Sequence, residues 1–451
     1  MNKIVASVGV VAIGASGLHA AAAAELTQEG AKPWSVSVAL RGFYDDNVNA
    51  APNGVSLAHR STFGFSASPG ISLGWQTEQT SISLGYVLAA IYYEHRPVGE
   101  TSNWDLDHTF NLSLDHSFSE RYRANVRDSF VVGQEPDTLR AGNVFSSFQR
   151  VPGNNIRNFG SVTFDATLTP LFGLEAGFAN AWYDYKDTGS APDGSTPPSL
   201  AGLLNRLENT FHLDGRWQWR PETTLVLGYQ FSEISYTENE VINGSINGPV
   251  SGPGGQLVYS NSRDNRSQYG YIGVDHTFRP DLTGSLRAGG RYNDYYNDTT
   301  SQNEPSPYVM ASARYTYMTE SYVEAGVTYD RSATDLFSVN SSNGSITTDA
   351  QSVSAWANWS HRIIPKVYGN LMAQLQNSTY NGGALENEAD MYYLLGLSLE
   401  YRFSPNFSAS VGYNYDRLDS SSVINSTQLA NTGAQRSFDR NRVYLGVTAT
   451  Y

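Results

Sequence analysis

Phe63-Gly64-Phe65-Ser66-Ala67-Ser68-Pro69-Gly70-Ile71-Ser72-Leu73-Gly74-Trp75 sets an apolar or ring residue at every odd position against Gly or Ser at every even one. A β-strand points successive side chains to opposite faces, so this stretch builds one greasy face and one small, polar face. After a turn at Thr77 to Gln79 the period returns: Ile82, Leu84, Tyr86, Leu88, Ala90 and Tyr92 share a face. Leu106, Phe110, Leu112, Leu114 and Phe118 follow, then Tyr122, Ala124, Val126, Phe130 and Val132.

Outward from there, similar segments fall at about 34–44, 158–170, 173–185, 206–219, 223–236, 268–279, 282–295, 307–318, 322–330, 351–361, 367–379, 391–403, 407–416 and 441–451. That makes about eighteen strands. Their connections alternate between two classes. Short turns stand at Ser119-Glu120-Arg121, Thr169-Pro170-Leu171, Arg220-Pro221-Glu222, Arg279-Pro280-Asp281, Thr319-Glu320, Ile364-Pro365-Lys366 and Ser404-Pro405-Asn406, where the fixed φ and missing N–H of proline are at home. Long Gly/Ser/Asn/Asp loops separate them, notably 186–203, 237–262, 331–349 and 418–438.

Strict alternation of short and long connections, with an even strand count, is the pattern of a transmembrane antiparallel up-and-down β-barrel with short periplasmic turns and long extracellular loops. Rings gather beside the short turns (Trp75, Phe118, Tyr122, Phe172, Trp217, Trp219, Phe278, Tyr317, Tyr401, Phe403, Phe407), as expected of an interfacial girdle. A soluble β-sandwich or β-helix is the rival fold, but neither needs rings concentrated at turns.

Composition agrees. The mean hydropathy of −0.38 would suit a water-soluble chain, yet 29 Tyr, 19 Phe and 8 Trp are more rings than solubility requires. A barrel resolves the tension, because only alternate residues meet lipid. Past the first two dozen residues no apolar run is long enough for a helical span. Residues 1–24 read as a signal peptide, with Lys3, an apolar stretch from Ile4 to about Leu18 and small residues Ala20 to Ala24. Residues 25–33 read as a short periplasmic segment and 34–451 as the barrel. With no Cys, disulfides and thiolate metal sites are excluded. A net charge of −14 argues against nucleic-acid binding.

The inner face is expected to carry Gly, Ser, Thr, Asn and charges of both signs. Asp105, Asp107, Asn111, Ser113 and Asp115 share that face on the fourth strand, and Arg123, Asn125, Arg127 and Ser129 on the fifth. Pairing about the 119–121 turn puts Asp115 opposite Asn125, with Arg123 and Arg127 on the diagonals. Asp275 is expected opposite Ser285 with Arg287 diagonal, and Arg291 extends that row. Arg41, Asp165, Glu175, Asp214, Arg216, Arg314, Glu324, Glu400 and Arg402 complete the expected lumen charges. Such rows either tune passage or brace the wall.

No catalytic constellation or cofactor site emerges, so the chain is expected not to be an enzyme. Asp45-Asp46-Asn47 has the oxygen donors of a calcium site but equally reads as a solvated loop edge. His108, His116 and His276 fall on the apolar face, where a barrel-embedded hydrolase would need a base, but no Ser is placed to act as nucleophile.

The end of the chain (Val443, Leu445, Val447, Ala449, Tyr451) alternates up to a terminal ring, resembling the C-terminal assembly signal of outer-membrane proteins. That resemblance implies the barrel-assembly machinery and outer-membrane lipid as partners. Gly42-Phe43-Tyr44-Asp45-Asp46-Asn47-Val48, Ser68-Pro69-Gly70-Ile71-Ser72-Leu73, Leu84-Gly85-Tyr86, Tyr92-Tyr93, Asp105-Leu106-Asp107-His108 and Arg127-Asp128-Ser129-Phe130 resemble a β-barrel porin family found at exopolysaccharide and capsule loci, the putative beta-barrel porin 2 type. These motifs lie within about 40–135. The resemblance implies a porin-like channel in the outer membrane, with polysaccharide or other polar solutes as cargo. The alternative is a non-conducting structural or adhesive barrel acting through its long loops.

Overall fold

The computed structural model describes residues 32–53, 60–95, 102–134, 144–146, 155–186, 200–237, 239–242, 257–298, 303, 305–340, 342–421 and 436–451. The signal expected over 1–24 and most of the segment expected over 25–33 lie outside them. Among the described residues no helix is long and apolar enough to cross a membrane.

Eighteen strands form one antiparallel sheet. In chain order they are β1 (Trp34–Asp45), β2 (Thr62–Gln76), β3 (Thr80–Tyr93), β4 (Trp104–Ser117), β5 (Tyr122–Gly133), β6 (Asn155–Thr167), β7 (Phe172–Asp184), β8 (Arg206–Arg220) and β9 (Thr223–Tyr236). The second half comprises β10 (Asn265–Arg279), β11 (Leu282–Asp294), β12 (Pro305–Met318), β13 (Ser321–Ser332), β14 (Asp349–Ile364), β15 (Val367–Asn381), β16 (Ala389–Ser404), β17 (Phe407–Ser420) and β18 (Phe438–Thr450). Each strand pairs with its sequence neighbours, and β1 also pairs with β18 from Ser37↔Thr450 to Asp45↔Arg442. The sheet thus closes on itself and leaves no edge.

Several strands run longer than the alternation indicates. β10 starts at Asn265, three residues before the expected 268, and β14 spans Asp349–Ile364 where 351–361 was expected. Here polar residues at the upper strand ends keep the ladder while losing the hydrophobic period.

Burial follows the alternation. In β1, Ser35, Ala39, Arg41, Phe43 and Asp45 are buried while Trp34, Val36, Val38 and Leu40 are exposed. This inverts the soluble rule, because the greasy face looks outward to lipid. The rings beside the short turns stand on that face, Trp75 at 69% and Phe278 at 61% exposure. A second belt near the long loops includes Phe65, stacked on Tyr92 at 5.1 Å and edge-on to Trp104 at 5.4 Å.

Inside, glycines give large neighbours room to lie along the wall. A Cβ at Gly228 would stand 2.1 Å from the Tyr271 ring, and one at Gly177 would stand 2.0 Å from the His212 ring. Gly412 does the same for Tyr444, and Gly64 for Phe43. Side chains that would otherwise project into the lumen are laid flat on the next strand.

Candidate functional site

The lumen wall carries several groups of ion pairs and hydrogen bonds. Asp115 stands opposite Asn125, and Arg127 Nη2 donates to both Asp115 carboxylate oxygens at 2.8 and 2.9 Å. Asp275 stands opposite Ser285, and Arg287 holds its carboxylate through Nη1 at 2.8 Å and Nη2 at 2.9 Å. Arg123 does not take the diagonal to Asp115. It stands directly opposite Asp165 on β6.

Around Arg216 the network thickens. Its guanidinium lies 2.7 Å from Glu175, 3.8 Å from Asp165 and 3.5 Å from Asp275. His212 Nε2 is 3.4 Å from the other Glu175 oxygen, and Tyr271 Oη donates to Asp214 at 2.6 Å. Arg291 binds Asp330 at 2.9 Å, and Arg314 binds Glu324 at 3.2 Å. Arg41 is buried on the inner face with its guanidinium over the Tyr444 ring. Asp107 lies against Gly133, where a Cβ would meet its carboxyl carbon at 3.0 Å. The expected lumen residues therefore fall into separate groups around one wall. They do not converge on a single point.

Height divides the lumen. Toward the short turns, inner-face residues such as Ser81, Ser83, Arg123, Arg314 and Asn370 are exposed, so that half is an open vestibule. Toward the long loops, inner-face residues are buried. The reason is that the described parts of several connections pack against the inner wall.

Phe145 belongs to the connection between β5 and β6, yet it packs with Tyr392, Leu394, Leu418 and Phe438 on the inner faces of β16 to β18. Gln376 on β15, fully buried, clasps its backbone: Phe145 N donates to Gln376 Oε1 at 2.8 Å, and Gln376 Nε2 donates to Phe145 O at 2.9 Å. From β5 to β15 is ten strands one way around the barrel and eight the other, so Phe145 stands against the wall opposite the strands that its connection links. Ser146 is then tied by Arg206 Nη2 at 3.0 Å and by Asp335 N at 3.1 Å.

Other connections meet it. Leu203 and Leu204 of a short helix, α1 (Leu200–Leu204), pack with Ile242, Val258 and Phe337 from two further loops. Arg263 donates to the carbonyls of Thr334, at 3.0 Å, and Leu203. Burial pushes the Arg263 guanidinium below its ordinary pKa, with Tyr236 beside it acting the other way. Arg436 lies 3.0 Å from both Asp335 and Asp390. No periodicity in the sequence points to these inward turns. Their one local signal is apolar residues, Val144-Phe145 and Leu203-Leu204, inside otherwise polar connections.

The remaining candidates have structural occupations. Asp45 accepts from Asn47 N at 2.9 Å and meets Arg442 at 3.2 Å, while Asp46 accepts from Asn441 N and Nδ2 at 2.7 Å each. Their oxygens are used within the fold, and among the described residues no cluster of three or more His, Asp or Glu suits a metal ion. His116 and His276 each bond a threonine hydroxyl through Nδ1, Thr80 at 2.8 Å and Thr223 at 2.9 Å, and stand edge-on to Phe118 and Phe278. His108 bonds the Tyr86 hydroxyl at 3.0 Å. These are imidazoles satisfied on the outer face.

Residues 331–451 match the family model described as putative beta-barrel porin 2. The match covers β14 to β18, the opposite end of the chain from the motifs at about 40–135. No curated protein matches the sequence. Among solved structures, Acinetobacter baumannii OccAB4 is similar at 12% identity over 93% of this chain and 99% of that one, with a TM-score of 0.42. Pseudomonas aeruginosa OpdK, solved with vanillate, is 11% identical over 93% and 99%, with a TM-score of 0.43. Pseudomonas aeruginosa OpdQ is 12% identical over 93% and 97%, with a TM-score of 0.40. With a closed eighteen-strand wall, a lipid-facing apolar band and the porin family's pattern over its last five strands, the protein is an outer-membrane β-barrel of porin-like fold.

Proposed function

We propose that the barrel passes hydroxyl-rich, largely uncharged solutes, with oligosaccharide or polysaccharide chains as the cargo class, and that the connection clasped by Gln376 gates them. The observation that carries this reading is the Phe145–Gln376 clasp across a bore whose other half is open. A wall in which Arg, Asp and Glu are paired with each other presents no single-sign field to select an anion or a cation. Between those pairs lie Ser81, Ser83, Ser113, Thr163, Asn358, Asn370 and Ser398, donors and acceptors suited to sugar hydroxyls. Two ring platforms sit on the same face, Tyr322 beneath Arg314 at 4.0 Å and Tyr368 beneath Arg402 at 3.8 Å.

Planar-bilayer recording tests the reading. The expected result is a rarely open channel whose current is interrupted by neutral oligosaccharides added on the vestibule side. A bilayer that stays sealed even after residues 144–146 are replaced by glycine would sink it. That outcome favours a barrel that acts through its closed, loop-covered end.

A further inference from the structure

The outer face of β5 to β8 breaks the apolar rule. On β5 the lipid-side set reads Tyr122, Ala124, Val126, Asp128, Phe130, Val132, so a carboxylate interrupts it. Asp128 is six residues above the Tyr122 belt. At about 3.3 Å per residue and a tilt of about 40°, that is roughly 15 Å up a band about 25 Å tall. A carboxylate at that depth has no water to turn to.

Its partners within the chain are few. Asn158 Nδ2 donates to both Asp128 oxygens at 3.1 Å, and Gly160 lies beneath the carboxylate. Two strands further on, Asn180 Nδ2 donates to Asn209 Oδ1 at 2.8 Å. Asn209 Nδ2 has no acceptor among the described residues. One barrel face therefore carries an acceptor that wants more donors and a donor without an acceptor, both pointed at hydrocarbon. Asp128, Gly160, Asn180 and Asn209 lie in one pairing row across the four strands. Strand tilt lifts Asn180 and Asn209 about 6–9 Å above Asp128, level with Asn158, which sits two residues higher on its own strand.

We infer that this face is the contact between two copies of the chain, related by a two-fold axis along the membrane normal near β6 and β7. In such an isologous contact, Asn158 of one copy meets Asn180 and Asn209 of the other at the same height, and the reverse contact forms at the same time, while Asp128 stays held from above by Asn158 of its own chain. The free Asn209 carboxamide gains the Asn158 Oδ1 of the other copy as its acceptor. The amides of both copies leave lipid together, and the Asp128 carboxylates are covered beneath them. Small residues on the same face, Ala124, Gly160 and Ala176, let the walls approach, and Phe130, Phe178 and Trp182 stand around them.

The chain's lack of cysteine makes the test direct. Two differently tagged copies, one Asn158→Cys and one Asn209→Cys, are coexpressed and oxidised in membranes. The expected result is a covalent heterodimer as the main product, and none from tagged copies carrying Ala355→Cys on β14. Within one chain the two sites are about 12 Å apart, beyond the ~7 Å a disulfide spans, so an internal bond does not compete. Native mass in mild detergent is the second reading: wild type is expected as a dimer and D128L/N158L as a folded monomer. A wild-type monomer, absence of the cross-link, a cross-link only to a different protein, or a dimer retained by D128L/N158L would each overturn the inference.

Discussion

Gln376→Leu removes the clasp while keeping the side chain's bulk. In the wild type the Gln376 amide satisfies the Phe145 N–H and C=O at 2.8 and 2.9 Å in a fully buried place. Leucine leaves both backbone groups without those partners, and each buried orphan costs about 1–3 kcal/mol. The closed arrangement is thereby weakened by about 2–6 kcal/mol, and by the lower part of that range where water from the vestibule reaches the freed groups. At about 1.4 kcal/mol per tenfold, a loss of about 3 kcal/mol raises the released population roughly a hundredfold. The Phe145 ring still packs on Tyr392 and Leu418, so release remains reversible. Single-channel recording should show open probability rising by about two orders of magnitude with unit conductance unchanged. The thermal melt of the barrel should move little, since Gln376 bonds the strand ladder through its backbone. Unchanged closed dwell times would refute the clasp as the gate.

Other perturbations probe the wall. Gly228→Ala drives a methyl into the Tyr271 ring and dislodges its bond to Asp214, so urea titration of vesicle-folded protein should show a loss of about 1–3 kcal/mol. Arg287→Met leaves the Asp275 carboxylate with Arg216 alone at 3.5 Å, and the same titration should show about 3–5 kcal/mol, less if the lumen hydrates the acid. Tyr451 closes the barrel by exchanging backbone bonds with Val36 at 2.8 and 3.0 Å and lies 5.9 Å from Trp34. Deleting it should lower the heat-resistant folded band on cold gels of outer membranes while leaving total expression unchanged.

How much of this is legible in sequence depends on distance along the chain. The pairs Asp115–Arg127 and Asp275–Arg287 are readable because a short turn fixes the register of its hairpin, and the period of two then fixes the face. Arg123 escapes the same reasoning. Every strand here has two neighbours, and a hairpin reveals one of them, whereas Asp165 stands across the other ladder. The clasp lies further out of reach. Phe145 and Gln376 are 231 residues apart, and no repeat connects a loop to the far wall. Asp128 is different in kind: the break at Val126, Asp128, Phe130 is visible in sequence, but it acquires meaning only when Asn158, Asn180 and Asn209 line up beside it on the outer face.

If the connections folded into the outer end gate a polar bore, solute entry depends on their release. Liposome swelling in neutral sugars of graded size measures that dependence. Slow swelling is expected for wild type and fast swelling for Gln376→Leu, with a size limit above which both are excluded. Equal and negligible swelling of the two proteins in every sugar would contradict it.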